Sequence, residues 1–123
     1  MSFAYEADLV CQAFVADTDL SSYQYCAVKM NTTEELVLAS DASEYILGVL
    51  QDEPAEAGRT GSVAIGGITK AKGGAAIDAG VRVRTTAGGK FITWSSGVCS
   101  GIALNACGAD GELFSLLIAR DSG

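Results

Sequence analysis

The chain has 123 residues, a net charge of −7, 49% apolar residues and no histidine. That length is one domain, large enough to bury a core without a disulfide or a metal. Without histidine, Ser-His-Asp and Cys-His catalysis in their usual forms are excluded, as are His-ligated zinc, copper and iron sites. The acidic balance repels phosphate backbones, so no nucleic-acid partner is expected.

The N-terminus lacks a basic n-region and carries Glu6 and Asp8 early, so it does not read as a secretory signal. No window reaches the roughly 18 to 20 apolar residues of a membrane span, and a cytoplasmic product without a membrane partner is expected. Residues 1–20 differ from the rest. Leu9, Val10, Ala13 and Phe14 lie at helix-like spacing, but the flanks are acidic and no stop signal follows. The segment reads as an extended N-terminal arm, or at most a short helix. Its apolar side chains Phe3, Tyr5, Leu9 and Phe14 pack on their own domain or on a neighbouring subunit.

Residues 21–123 read as a single β domain. Tyr23 to Met30 alternates and predicts a strand, Asn31 to Glu34 a turn, and Glu35 to Ala39 the return strand. Tyr45 to Leu50 is a short apolar run that fits a buried strand. Gln51 to Gly61 is a polar connection holding Pro54. Ser62–Ile65 and Ile68–Lys72 follow, split by Gly66-Gly67, which predicts a bulge or bend. Val81 to Arg84, the Thr85–Gly89 turn and Lys90 to Trp94 form a hairpin signal. Val98 to Leu104 and Glu112 to Ala119 complete eight or nine short strands. The fold class is all-β, a compact barrel or sandwich of short antiparallel strands.

Two stretches echo each other. Gly48 to Ile65 lays over Gly101 to Ile118, with Gly58 on Gly111 and Ser62 on Ser115. Each is an apolar strand, an acidic Gly-containing turn and a second apolar strand. They are either a duplicated unit or two similar hairpins, and the sequence leaves both open.

Chemistry-bearing motifs are thin. Gly88-Gly89-Lys90 lacks the first glycine, the following hydroxyl and the helix of a phosphate loop. Asp17 and Asp19 depart from a calcium loop at the third ligand and lack its glycine. Asp52, Glu53 and Glu56 read as a solvated turn. Cys11, Cys26, Cys99 and Cys107 contain no C-x-x-C pair and sit among apolar neighbours, as buried small hydrophobes do. No metal or cofactor is expected. Arg82 and Arg84 share one face of a strand, and Lys70 and Lys72 share another. These are a solvated outer face or a basic stripe that meets an acidic partner. Trp94 is a core anchor or an interface hot spot. Arg82, Arg84 and Trp94 therefore join the apolar residues of the arm as candidate interface residues.

Several strings together resemble tailed-phage capsid decoration (cement) proteins. They are Asp17 to Met30, Ile46 to Pro54, Gly58 to Lys70, Gly74 to Gly80, Thr85 to Lys90, and Gly101 to Leu104 with Leu116 to Ile118. The resemblance spans about residues 17–119 and rests on hydrophobic, Gly and Pro placement. It implies a β-rich virion protein that sits as a homotrimer on the outside of an expanded icosahedral head. There it would clamp major capsid protein subunits, after a free period in the host cytoplasm. It carries no catalytic residues, and no enzyme is expected. The runner-up reading is a receptor- or glycan-binding module, with Trp94, Tyr23 and Tyr25 as stacking faces.

Overall fold

The computed structural model describes residues 4–40 and 45–121. Nine strands form one curled antiparallel sheet: β1 (Ala7–Val15), β2 (Ala27–Met30), β3 (Leu36–Leu38), β4 (Gly48–Leu50), β5 (Thr60–Lys72), β6 (Arg82–Thr85), β7 (Phe91–Thr93), β8 (Cys99–Ala103) and β9 (Leu113–Asp121). The order is β3-β2-β4-β5-β9-β8-β6-β7, with β1 paired to β5. The expected all-β class is what is found, and a single 3₁₀ turn at Ala87–Gly89 is the described helical element. Most expected strands appear, trimmed at their ends. Tyr23 to Met30, for example, keeps only Ala27–Met30 as strand, because Tyr25 takes a positive φ of 67° that ends extended pairing.

The sheet is built twice. In the first half, β1 pairs with the start of β5 through Cys11↔Ala64, Phe14↔Gly61 and Val15↔Thr60. In the second half, the end of β5 pairs with β9 through Ile68↔Leu117, Ala71↔Phe114 and Lys72↔Leu113. Val28 pairs with Leu38 and Gly48, and Val83 pairs with Thr93 and Gly101 in the same way. Parallel bridges, Ala16↔Leu36 and Gly73↔Phe91, fall at matching places. The loop hydrogen bonds repeat too: Leu20 N–H to Pro54 C=O and Ile77 N–H to Cys107 C=O, both 2.8 Å.

The echo noticed in the sequence is therefore one part of a doubled unit. Its first copy is β1 to the front of β5, and its second is the back of β5 to β9. β5 serves both copies, which explains its length and its bend. Gly66-Gly67 marks the changeover, and Gly67 takes φ 91° at a bulge opposite β1.

Gly48 and Gly101 are matched for a steric reason. A Cβ at Gly48 would lie 2.0 Å from the Ala64 carbonyl oxygen, and one at Gly101 2.1 Å from that of Leu117. No side chain fits either place.

Two clusters form the core. One holds Ala16, Leu20, Val28, Leu36, Leu50 and Val63, inside the first half. The other holds Val83, Phe91, Phe114 and Leu116 of the second half, with an edge-to-face contact between Phe91 and Phe114 at 6.1 Å. That cluster also takes in Ala27, Ala39 and Val49 of the first half. The outer face of the first half is thus the cover of the second half's interior.

Residues 7–15, expected within an extended arm, form β1 and pair with β5 along nearly their whole length. No break in packing marks residue 20: Ala16 and Leu20 are buried in the same cluster as Leu36 and Val63.

Candidate functional site

Residues directly opposed on neighbouring strands present their side chains on one face. Trp94 N–H bonds to Arg82 C=O at 2.8 Å. Arg82 opposes Ile102, Ile102 opposes Leu117, and Leu117 opposes Ile68. A transverse row Trp94–Arg82–Ile102–Leu117–Ile68 therefore crosses the second half. The matched row of the first half is Ala39–Ala27–Val49–Ala64–Cys11, joined by the equivalent contacts.

The two rows differ in what covers them. Ala39, Ala27, Val49 and Ala64 are all at 0% exposure, and the first three lie under the second half's core. In the second row Arg82 is exposed, and Trp94, Ile102, Leu117 and Ile68 are half-buried. Small side chains stand where protein packs against the row. Large apolar and cationic ones stand in the second row, none of whose members belongs to either core cluster of the described residues.

The open row is partly preorganised. The Arg82 guanidinium carbon lies 5.2 Å from the Trp94 ring centroid, in cation–π range. Trp94 Nε1–H donates to Gly97 C=O at 3.1 Å, which fixes the indole plane. Beside it, Arg84 opposes Ile92 and donates from one terminal nitrogen to Ser96 C=O at 3.0 Å and Ser96 Oγ at 3.2 Å. Arg84 Nε is buried without a partner among the described residues. Two guanidiniums on an apolar strip, in a chain of net charge −7, form a local positive patch suited to an acidic, partly apolar partner.

Of the residues singled out from the sequence, Arg82, Arg84 and Trp94 come together here. Tyr5 is brought close by β9: its N–H donates to Ser115 Oγ at 2.7 Å, and its C=O accepts from the same hydroxyl at 3.2 Å. Phe14 instead packs on the first core cluster, and Leu9 is half-buried in β1. Phe3 lies outside the described residues. Ile68, Ile92, Ile102 and Leu117 were missed. Each looked like an ordinary strand residue, and only the cross-strand register shows that they share the open face.

The remaining polar groups have local structural uses. Asp19 Oδ1 accepts from Ser21 N–H at 2.9 Å, and its hydrogen bonds to Ser21 hold its carboxyl below the usual value. Asp52 Oδ1 accepts from Ser62 N–H at 3.0 Å. Lys70 and Lys72 diverge in role: Lys70 Nζ lies 5.9 Å from the Tyr25 ring centroid, and Lys72 lines a cleft. Burial pushes the Cys26 and Cys107 thiols up, as it does for small hydrophobes away from water. Among the described residues no His, Cys, Asp and Glu cluster is placed to hold a metal ion, and no helix is long and apolar enough to cross a membrane.

The molecule is thus a curled all-β sheet that carries one row of large apolar and cationic side chains outside its two core clusters. The model of the phage cement protein family matches residues 14–118, and the chain belongs to that family. Its place is in the virion, as a structural protein of the phage head that binds the capsid, and this argues against an enzyme. A solved structure, the head fiber gp8.5 N base of bacteriophage phi29, is similar in fold. The match covers 90% of this chain and 94% of that one, with a TM-score of 0.67 and 18% identity. No curated protein sequence matches the chain.

Proposed function

We propose that the chain docks on the outer surface of the expanded phage head through the row Trp94–Arg82–Ile102–Leu117–Ile68, and clamps adjoining major capsid protein subunits. The observation that carries this is the contrast between the two rows. Among the described residues the first row is largely buried within the molecule, whereas the second, furnished with a tryptophan and an arginine, stays half-buried to exposed. Trp and Arg are the side chains that most often dominate interface energetics.

The copies act as homotrimers, as the family resemblance suggests, so that several modest contacts combine through avidity. A protein that binds the assembled shell and not its unfolded subunits raises the shell's melting temperature by mass action. Before assembly the free protein stays in the host cytoplasm, kept soluble by its net negative charge.

The test adds purified protein to expanded, undecorated shells and pellets them, with light scattering on the free protein for its oligomeric state. Co-pelleting and a raised shell melting temperature are expected. A protein left in the supernatant at every concentration refutes capsid docking.

A further inference from the structure

Tyr25 stands where the second half has Gly80. Both residues have a positive φ, 67° and 86°. Their amides donate to matched carbonyls, Leu50 and Ala103, each at 2.7 Å. Glycine adopts this left-handed backbone freely, whereas for tyrosine it is strained. The fold accepts glycine at this position, as its second half shows, yet the first half holds an aromatic side chain there.

Tyr25 lines a cleft of about 370 Å³ with Ser21, Ser22, Gln24, Glu53 and Lys72, closed by Gly111 and Leu113, while part of its side chain packs on the core and Lys70 Nζ stands 5.9 Å from its ring centroid. The cleft lies at the junction of the two halves, where Lys72 N–H donates to Tyr25 C=O at 2.9 Å. Its polar lining appears once. The Leu20–Tyr25 segment has four intervening residues against two between Ile77 and Gly80, and the extra residues build one wall. The counterpart of Glu53 in the second half is Ala106. The doubled scaffold therefore folds without this set of side chains.

The lining combines an aromatic and an aliphatic side chain, two serine hydroxyls, an amide, one carboxylate and one ammonium. Gln24 uses one Nε2 hydrogen on Gln51 C=O at 2.9 Å, which orients its amide. An anion would meet Glu53 and a cation would meet Lys72. A neutral polyhydroxylated ligand uses every group: its hydroxyls bond to the carboxylate, ammonium, amide and serines, and its C–H face lies against the exposed parts of Tyr25 and Leu113.

The geometry points to a neutral saccharide with an apolar C–H face, as in β-linked glucose, N-acetylglucosamine or galactose, as the ligand of the Tyr25 cleft. The site uses none of the residues of the Trp94 row, and it stands whether or not that row docks on the capsid.

The test is an NMR amide titration of the full chain with cellotriose, chitotriose and lactose, with inorganic phosphate as the anionic control. At least one sugar is expected to shift the amides of Ser21, Ser22, Tyr25, Lys72 and Gly111. Those shifts are expected to vanish in Tyr25→Gly and to weaken in Glu53→Ala, both of which install the second half's residue. If Tyr25→Gly does not fold, Glu53→Ala on its exposed turn carries the comparison. The inference is overturned if none of the three sugars shifts these amides. Shifts that persist in both variants, shifts that gather at Trp94, or shifts caused by phosphate in place of sugar also overturn it.

Discussion

Replacing Trp94 and Arg82 with alanine converts two positions of the open row into their counterparts in the covered row, Ala39 and Ala27. The effect on the isolated protein follows from what the side chains touch. The Arg82–Trp94 cation–π contact, at 5.2 Å and partly solvated, contributes about 0.5–1 kcal/mol. The indole hydrogen bond to Gly97 at 3.1 Å contributes about 0.5–1.5 kcal/mol. Together they amount to about 1–2.5 kcal/mol, a drop of several degrees in Tm for a domain this size, with the fold retained.

Binding to expanded shells should suffer far more. Loss of an interface tryptophan typically removes about 2–4 kcal/mol, which is about 30- to 1,000-fold in affinity. Pelleting titrations of wild type and Trp94→Ala/Arg82→Ala measure this directly. The reverse exchange, Ala27→Arg with Ala39→Trp, drives large side chains into positions at 0% exposure and should prevent folding. A Trp94→Ala/Arg82→Ala protein that binds shells as the wild type does would show that the open row is not the docking face. A folded Ala27→Arg/Ala39→Trp protein would show that the two rows are not distinguished by burial at all.

Other outcomes follow from the same geometry. Gly48→Ala and Gly101→Ala each place a Cβ about 2 Å from a backbone oxygen, and both should destabilise by ~3 kcal/mol or more in urea melts, by similar amounts because the sites are equivalent. Ser100 Oγ is buried without a hydrogen-bond partner among the described residues, so Ser100→Ala should raise stability by about 1 kcal/mol. Thiol titration of the native protein with an aromatic disulfide at neutral pH should label the exposed Cys11 quickly. The buried Cys26, Cys99 and Cys107 should react only on unfolding. Deleting residues 1–16 removes β1 with its core-packed Phe14, and the buried Ala16 that follows it, and should abolish cooperative thermal unfolding. A truncated protein that melts sharply would show that β1 is dispensable.

The β class and the places of most strands were legible from alternation and from turn glycines, because both are local properties of the backbone, whereas the strand ends were not, and β5 was read as two strands. Half of the duplication was legible too. Gly48 and Gly101 match since no Cβ fits at either, and Gly58 and Gly111 match since both have φ 89°. Where a backbone position excludes side chains, equivalence leaves an identity that sequence can show.

The other half left none. Ala27 and Arg82, or Ala39 and Trp94, hold the same rung of the same unit yet share no chemistry, because the first of each pair lies in a core cluster and the second does not. The placement of β1 was equally hidden, since its pairing with β5 joins residues some fifty positions apart, beyond what local pattern encodes. The amino-acid sequence alone thus determined two similar strand–turn–strand stretches and, by resemblance, the family. Only the tertiary structure decided which copy of that unit faces inward and which presents its row outward, because burial depends on what packs across the sheet and not on the residues within a strand.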